Sequence, residues 1–351
     1  MANITVIEAA KAYSSQVVRE PLINSIFSLL VNPDVFKYEK FGKETMVREV
    51  KGGTASNYDK NAGFTANGTG GSAEWKPFVA PYDREMTFAV DAMDEYNAVR
   101  EGFELSGAAI AKQNMRNMAG EIDATTAAAI FANIPAENVY TSADLKLDKD
   151  NIFQTLTDLE AKVFNKGYAG DSYVFVRSTD YSAITAALLA NNALANQEVL
   201  KFSPIKGLEL ETRVVKYNNL IIVRVPDTRM FTAVTLLDGK SEGQEAGGYV
   251  KAEGASYIDM LVVPAPAAAL SVRHFVANLL VPMAYTEGLT AGVVETELGG
   301  VNNLTDNTVA FSNIGINQKA DAFEYQTRMI YGAMTFESWK NTLFAVTTAI
   351  A

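Results

Sequence analysis

The feature that most constrains this chain is a succession of three unlike segments. A stretch from Gly52 to Gly71 holds six glycines together with Asn57, Asn61 and Asn67. It leads into Arg84-Glu85-Met86-Thr87-Phe88-Ala89-Val90-Asp91-Ala92-Met93-Asp94, and that into an alanine-rich run closing on Glu121-Ile122-Asp123. Glycine and asparagine at that density mark a turn or loop rather than a regular element. Met86, Phe88 and Val90 alternate with Glu85, Thr87 and Ala89, which is strand periodicity. The charge-laced stretch from Phe36 to Val50 is strand-like as well, so residues 41–88 read as an extended hairpin around a glycine-rich tip. Two arms of about 20 residues at ~3.3 Å per residue reach roughly 60 Å. A two-stranded ribbon of that kind is marginal alone in water. It needs a surface to lie on, and a neighbouring subunit is the natural candidate, with Lys51, Lys60, Trp75 and Lys76 as expected contacts.

After the hairpin, Asp91 or Asp94 is placed to cap a long helix that Pro135 ends. Val99, Phe103, Ile110, Met118 and Ile122 are expected on one broad face, while Ala98, Ala108, Ala109, Ala111 and Ala119 keep the rod slim. Gly102, Gly107 and Gly120 each cost about 1 kcal/mol relative to alanine in a helix. They are candidate hinges or places of close packing. Glu121 and Asp123 point about 200° apart around the axis, which argues against a paired acid and base. The expectation is a structural role, as halves of intersubunit ion pairs with arginines such as Arg100 or Arg116.

Upstream, Val6, Ala10, Tyr13, Val17 and Val18 and then Leu22, Ile26, Leu29 and Leu30 recur near a 3.6 period, with Pro21 dividing two short helices. Residues 1–40 thus read as an N-terminal arm with little core of its own. Downstream, Ile152, Leu156, Leu159 and Val163 predict an amphipathic helix, Tyr173 to Val176 a buried strand, Tyr181 to Leu194 a helix, and Leu220 to Val225 an apolar strand ending at Pro226. Asp238 to Gly254 reads as an exposed loop, Tyr257 to Val263 and Val272 to Val281 as strands, and residues 286–319 as an inserted hairpin or extended loop. Phe323 to Tyr331 alternates like a strand, and Leu343 to Ile350 is a further one. The mixture predicts an α+β fold.

Composition narrows the function classes. The chain has 351 residues, 48% hydrophobic, which is enough to bury a sizeable core. Without cysteine there is no disulfide framework, thiolate metal site or cysteine nucleophile, and folding in a cytosol is the expectation. No signal peptide or membrane span is apparent, because the most apolar late stretch, Leu261 to Tyr285, carries three prolines with Arg273 and His274. The net charge of -11, with basic residues scattered, argues against tight nucleic-acid binding through phosphate neutralisation.

The order of arm, extended hairpin, spine helix, α+β domain and returning strands resembles the major capsid proteins of tailed double-stranded DNA bacteriophages. The resemblance is carried by Asp83 to Asp94 leading into Glu121-Ile122-Asp123, by Ile221-Ile222-Val223-Arg224-Val225-Pro226-Asp227, and by Ile258 to His274 followed by Phe323 to Phe336. It implies a peripheral domain with the spine helix at 89–149, an axial domain at 150–255, and returning strands at 256–351 that complete both. It also implies a subunit with no catalytic residue, metal or cofactor, assembling into pentamers and hexamers of an icosahedral virion shell in the bacterial cytoplasm. The implied partners are its own copies, portal and decoration proteins, and packaged DNA without sequence-specific binding. A cleaved scaffolding segment at the N-terminus, found in many such proteins, has no counterpart in this sequence, so a separate scaffolding protein is expected. Some members crosslink through a hairpin lysine, an asparagine and a glutamate; here only the lysines have candidates, and no crosslink is expected. An encapsulin-type compartment shares the fold and is the nearest alternative. An α+β hydrolase with paired carboxylates is the alternative from another class.

Other motifs do not reach chemistry. His274 is the lone histidine, in a predicted strand, and lacks the partners of a metal site or triad. Gly239-Lys240-Ser241 imitates a phosphate loop, but Val234 stands where the first glycine is required. Asp148, Asp150 and Asn151 imitate a calcium loop, yet Phe153 and Leu159 occupy its essential glycine and glutamate positions. Asn67-Gly68-Thr69 matches a glycosylation acceptor that has no meaning in a bacterial cytosol.

Overall fold

The computed structural model describes residues 13, 16–17, 19–32, 35–38, 44–53, 71–101, 103–142, 144–145, 151–190, 196–205, 208–237, 248–282, 293–294, 312–317 and 321–348. The arm enters through helical residues 19–24 and a 3-10 turn, Phe27–Leu30. The helical residues run through Pro21 and break only at Ser25, where the amides of Ile26 and Phe27 turn to the Asp123 carboxylate. The expected division at Pro21 is therefore not found. Tyr13, Val17, Leu22, Phe27 and Leu30 are buried in the main core, and the Phe27 ring stacks on Phe175 at 4.2 Å between centroids.

Strands β1 (Phe36–Tyr38), β2 (Glu44–Lys51) and β3 (Ser72–Val79) form a three-stranded antiparallel sheet in that order. The hairpin ladder runs from Glu44 opposite Val79 to Lys51 opposite Ser72, about 25 Å of strand. Strand β4 (Tyr82–Asp91) does not continue the hairpin as expected. Its alternation faces the core, where Phe88 stacks on Tyr325.

The expected single helix is two, α1 (Ala92–Arg100) and α2 (Ser106–Phe131). Asp91 caps the first, its Oδ1 accepting from the Met93 amide at 2.8 Å. Phe103 and Ile110 are exposed. Met118 and Ile122 are buried as expected, together with Ala108, Ala111, Met115 and Ala119, and the small residues of this face bring the helix close to the sheet.

After β5 (Val139–Thr141) come α3 (Ile152–Asn165), β6 (Ser172–Arg177) and α4 (Ser178–Ala190). A ribbon of β7 (Asn196–Ile205) and β8 (Leu208–Tyr217) follows, and then β9 (Leu220–Val225). Strands β10 (Val234–Leu237) and β11 (Gly248–Lys251) pair antiparallel, so the end of the expected 238–254 loop is a strand. The chain closes with β12 (Ile258–Pro264), β13 (Ala268–Pro282), β14 (Val293–Val294), β15 (Ser312–Asn317), β16 (Ala322–Thr335) and β17 (Phe344–Thr347). Within the 286–319 insertion, β15 joins β13 in parallel; its other residues, apart from β14, lie outside those described.

Two large sheets result, ordered β5-β17-β12-β6-β9-β8-β7 and β14-β15-β13-β16-β4. Every residue of β12 is buried, as a central strand covered on both faces requires. On one face Ile152, Leu156, Leu159 and Val163 of α3 pack against Val174, Ile222 and Val262. On the other, Phe175, Val223 and Leu261 share the main core with the arm and α2. The fold is thus α+β, with α2 and the arm at the meeting place of both sheets. Among the described residues no helix is long and apolar enough to cross a membrane.

Candidate functional site

Three buried carboxylates, Glu95, Glu121 and Asp123, organise that meeting place. The N-terminus of α2 has no side-chain cap of its own from Leu105. Glu95 reaches back from α1 to accept from the amides of Ser106 at 2.9 Å and Gly107 at 2.7 Å. This satisfies donors that a helix end leaves open. The Tyr325 hydroxyl donates to the same carboxylate at 2.8 Å. A Cβ on Gly107 would lie 2.2 Å from the Tyr325 ring, so glycine is what lets the ring in.

Glu121 pairs with Arg84 of β4, Nε to Oε1 at 2.8 Å, and accepts from the Tyr331 hydroxyl. Arg84 also donates to the Leu237 carbonyl at 2.7 Å, which fastens β10 to this point. Burial pushes the Glu121 carboxyl up, against the pull of Tyr331 and Arg84. Burial likewise holds the Tyr331 and Tyr325 hydroxyls far above the ordinary tyrosine range, reinforced by the carboxylate beside each.

Asp123 faces the other way and is fully buried. Its Oδ1 accepts from Ser25 Oγ at 2.6 Å and the Phe27 amide at 3.1 Å; its Oδ2 accepts from the Ile26 amide at 3.0 Å and Arg229 Nη1 at 2.7 Å. Burial raises this carboxyl too, against the Arg229 charge and the hydrogen bonds from the arm. The opposite directions expected of Glu121 and Asp123 are therefore found. Their expected partners are not, since both are spent on arginines of their own chain, Arg84 and Arg229. Arg116 likewise pairs within the chain, with Glu20 of the arm at 3.3 Å. The carboxylates of Glu121 and Asp123 are buried in pairs within the chain, which corrects the intersubunit reading of these two, whereas the Arg116 side chain stays 47% exposed.

Lys76 spans the hairpin to the largely buried Glu49, while Lys51 lies exposed at the end of the ladder and Trp75 exposed on it. Lys60, Gly102 and the side chain of Arg100 lie outside the described residues. Gly107 and Gly120 both stand where another group approaches; a Cβ at Gly120 would lie 3.2 Å from Tyr249 Oη. Sequence reasoning missed Arg84, Glu95, Arg229, Tyr325 and Tyr331, each of which meets its partner across long sequence separations. Among the described residues no group of His, Cys, Asp and Glu is arranged to hold a metal ion.

No protein-family model matches this chain, and no curated protein matches it significantly in sequence. Solved structures do resemble it. The capsid structure of the cyanophage P-SCSP1u aligns over 90% of this chain and 86% of its own at a TM-score of 0.50 and 10% identity. Mycobacterium phage Che8 aligns over 93% and 91% at 0.47 and 12% identity. A virus-like particle from Pyrococcus furiosus aligns over 98% and 100% at 0.44 and 10% identity. The cyanophage likeness covers nine-tenths of this chain, and with it the chain has the fold of that phage capsid structure.

Proposed function

We propose that this chain is a structural subunit of a phage icosahedral capsid that assembles with its own copies into pentamers and hexamers around double-stranded DNA. The observation that carries this reading is the outward face of the β2–β3 hairpin. The register sets Arg48 opposite Trp75, Met46 opposite Pro77 and Glu44 opposite Val79. These residues and Val50 share one face, since paired residues point the same way and alternate ones point oppositely. Val50, Trp75 and Val79 are 57%, 50% and 59% exposed. Thr45, Val47 and Glu49, on the opposite face, are buried against the body. A ribbon that presents exposed Val50, Trp75 and Val79 beside the charged Glu44 and Arg48 away from its own core has a surface suited to being covered by another molecule, and a second copy is the occupant that a shell supplies.

On this reading residues 89–149 form the peripheral domain and residues 150–255 the axial domain, with the returning strands at 256–351 completing both. A separate scaffolding protein, a portal, decoration proteins and the packaged genome complete the partners, with assembly in the bacterial cytoplasm. Replacing Trp75 with Glu tests the carrying observation. Sedimentation velocity is expected to show the assembled wild type converted to smaller species while circular dichroism stays unchanged; assembly unaffected by the charge would remove the hairpin face from the interface.

A further inference from the structure

Pro226 ends β9, and the next three residues form a 3-10 turn, Asp227–Arg229, closed by the Arg229 amide on the Pro226 carbonyl at 2.9 Å. Each side chain of this turn holds a different element. Asp227 accepts from the Thr179 amide at 3.1 Å and from the Thr179 hydroxyl, at the start of α4 on the seven-stranded sheet. Thr228 hydrogen-bonds Tyr249 of β11. Arg229 Nη1 donates both to Asp123 of α2 and to the Asn24 carbonyl of the arm, at 2.7 and 3.0 Å. The missing Cβ of Gly120 leaves the room in which Tyr249 and Arg229 approach α2, its ideal position lying 3.2 Å from Tyr249 Oη and 3.5 Å from Arg229 Nε.

The turn is short and its two charged ends lie two residues apart. A backbone displacement at the Arg229 end is therefore shared with the Asp227 end. Asp123 is the shared acceptor of Arg229 and of three donors from Ser25, Ile26 and Phe27, so this part of the arm's seat and the turn meet at one carboxylate. We propose that the Asp227–Arg229 turn is a coupling element that links the seating of the N-terminal arm on α2 to the anchoring of the α4 N-terminus, so that release at either end loosens the other. Such coupling is a reciprocal free energy between two places, carried by a contiguous hydrogen-bonded path rather than by proximity alone. It is independent of whether the chain forms a shell. In any assembly that moves the arm, it delivers that movement to the sheet on which α4 lies.

The test is amide hydrogen exchange on the full chain, comparing Arg229→Lys and Asp227→Asn with wild type. Both substitutions are close in size, and the amides of Leu261 and Val262 in the buried β12 report that the fold is intact. Coupling predicts that Arg229→Lys speeds exchange about tenfold at Ile26 and Phe27 and also at Thr179, a coupling of ordinary size. Asp227→Asn is predicted to speed Thr179 and, in turn, Ile26 and Phe27. If each substitution speeds only its own end while β12 stays protected, the turn is merely two independent contacts and the proposal is wrong.

Discussion

Tyr331 of β16 donates its hydroxyl to Glu121 of α2, and six residues earlier on the same face Tyr325 donates to Glu95, which caps α2 at Gly107. Six strand residues span about 20 Å, and the fourteen residues from Gly107 to Glu121 span about 21 Å of helix. The two lengths match, so strand and helix are stapled at two points without strain in register. Removing either hydroxyl takes a hydrogen bond from a buried charged group, worth about 1.5–3 kcal/mol. Tyr331→Phe and Tyr325→Phe are each expected to lower the unfolding free energy by that amount, read as a shift of the urea midpoint at unchanged denaturant dependence. A midpoint unchanged in both would mean that aromatic packing alone aligns the layers.

The two described glycines of α2 separate a hinge from a close contact. At Gly107 an added methyl meets the Tyr325 ring at 2.2 Å. Overpacking costs about 1–3 kcal/mol, more than the roughly 1 kcal/mol alanine gains in helix propensity. At Gly120 the nearest atom is 3.2 Å away, tight enough to cancel most of the gain. Gly107→Ala is therefore expected to destabilise clearly and Gly120→Ala to be near neutral, as read by thermal melts. Two stabilised variants would instead identify these positions as flexible points that alanine stiffens.

Alkaline behaviour follows from Tyr13, Tyr325 and Tyr331. Burial holds each hydroxyl above its ordinary value of about 10. The folded chain therefore keeps protons that the unfolded chain gives up above that pH. The stability they contribute is fully present below pH ~10 and is lost as pH rises beyond it. Urea midpoints measured from pH 8 to 11 are expected to fall steeply at the alkaline end, and less steeply in Tyr331→Phe. An equal slope in the variant would mean that Tyr331 ionises as freely folded as unfolded.

What the sequence made legible is what local pattern encodes. The apolar runs behind β6, β9 and β12 and the 3.6 period of α3 are visible because each element buries large side chains at regular intervals. The β7–β8 ribbon escaped because its exposed positions, Glu198, Lys201, Glu209, Glu211 and Arg213, mask a strand in charge, although Leu208 to Tyr217 does alternate. The buried face of α2 was legible at Met118 and Ile122 but not at Ala108, Ala111 and Ala119, whose small side chains carry little periodic signal, while Phe103 and Ile110 are 69% and 39% exposed. For the carboxylates, helical spacing gave the direction each side chain takes. It could not give Arg84 or Arg229, which lie 37 and 106 residues from Glu121 and Asp123 and reach them only through the tertiary fold.

The central claim is that the chain builds closed shells with its own copies. Negative-stain electron microscopy of the chain expressed alone and with its co-expressed partners, beside size-exclusion chromatography with light scattering, tests it directly. The account predicts capsomer rings, tubes or closed particles in at least one of these preparations, with packaged contents distinguishing a phage head from an enzyme-loaded compartment. A strictly monomeric protein in both would contradict it.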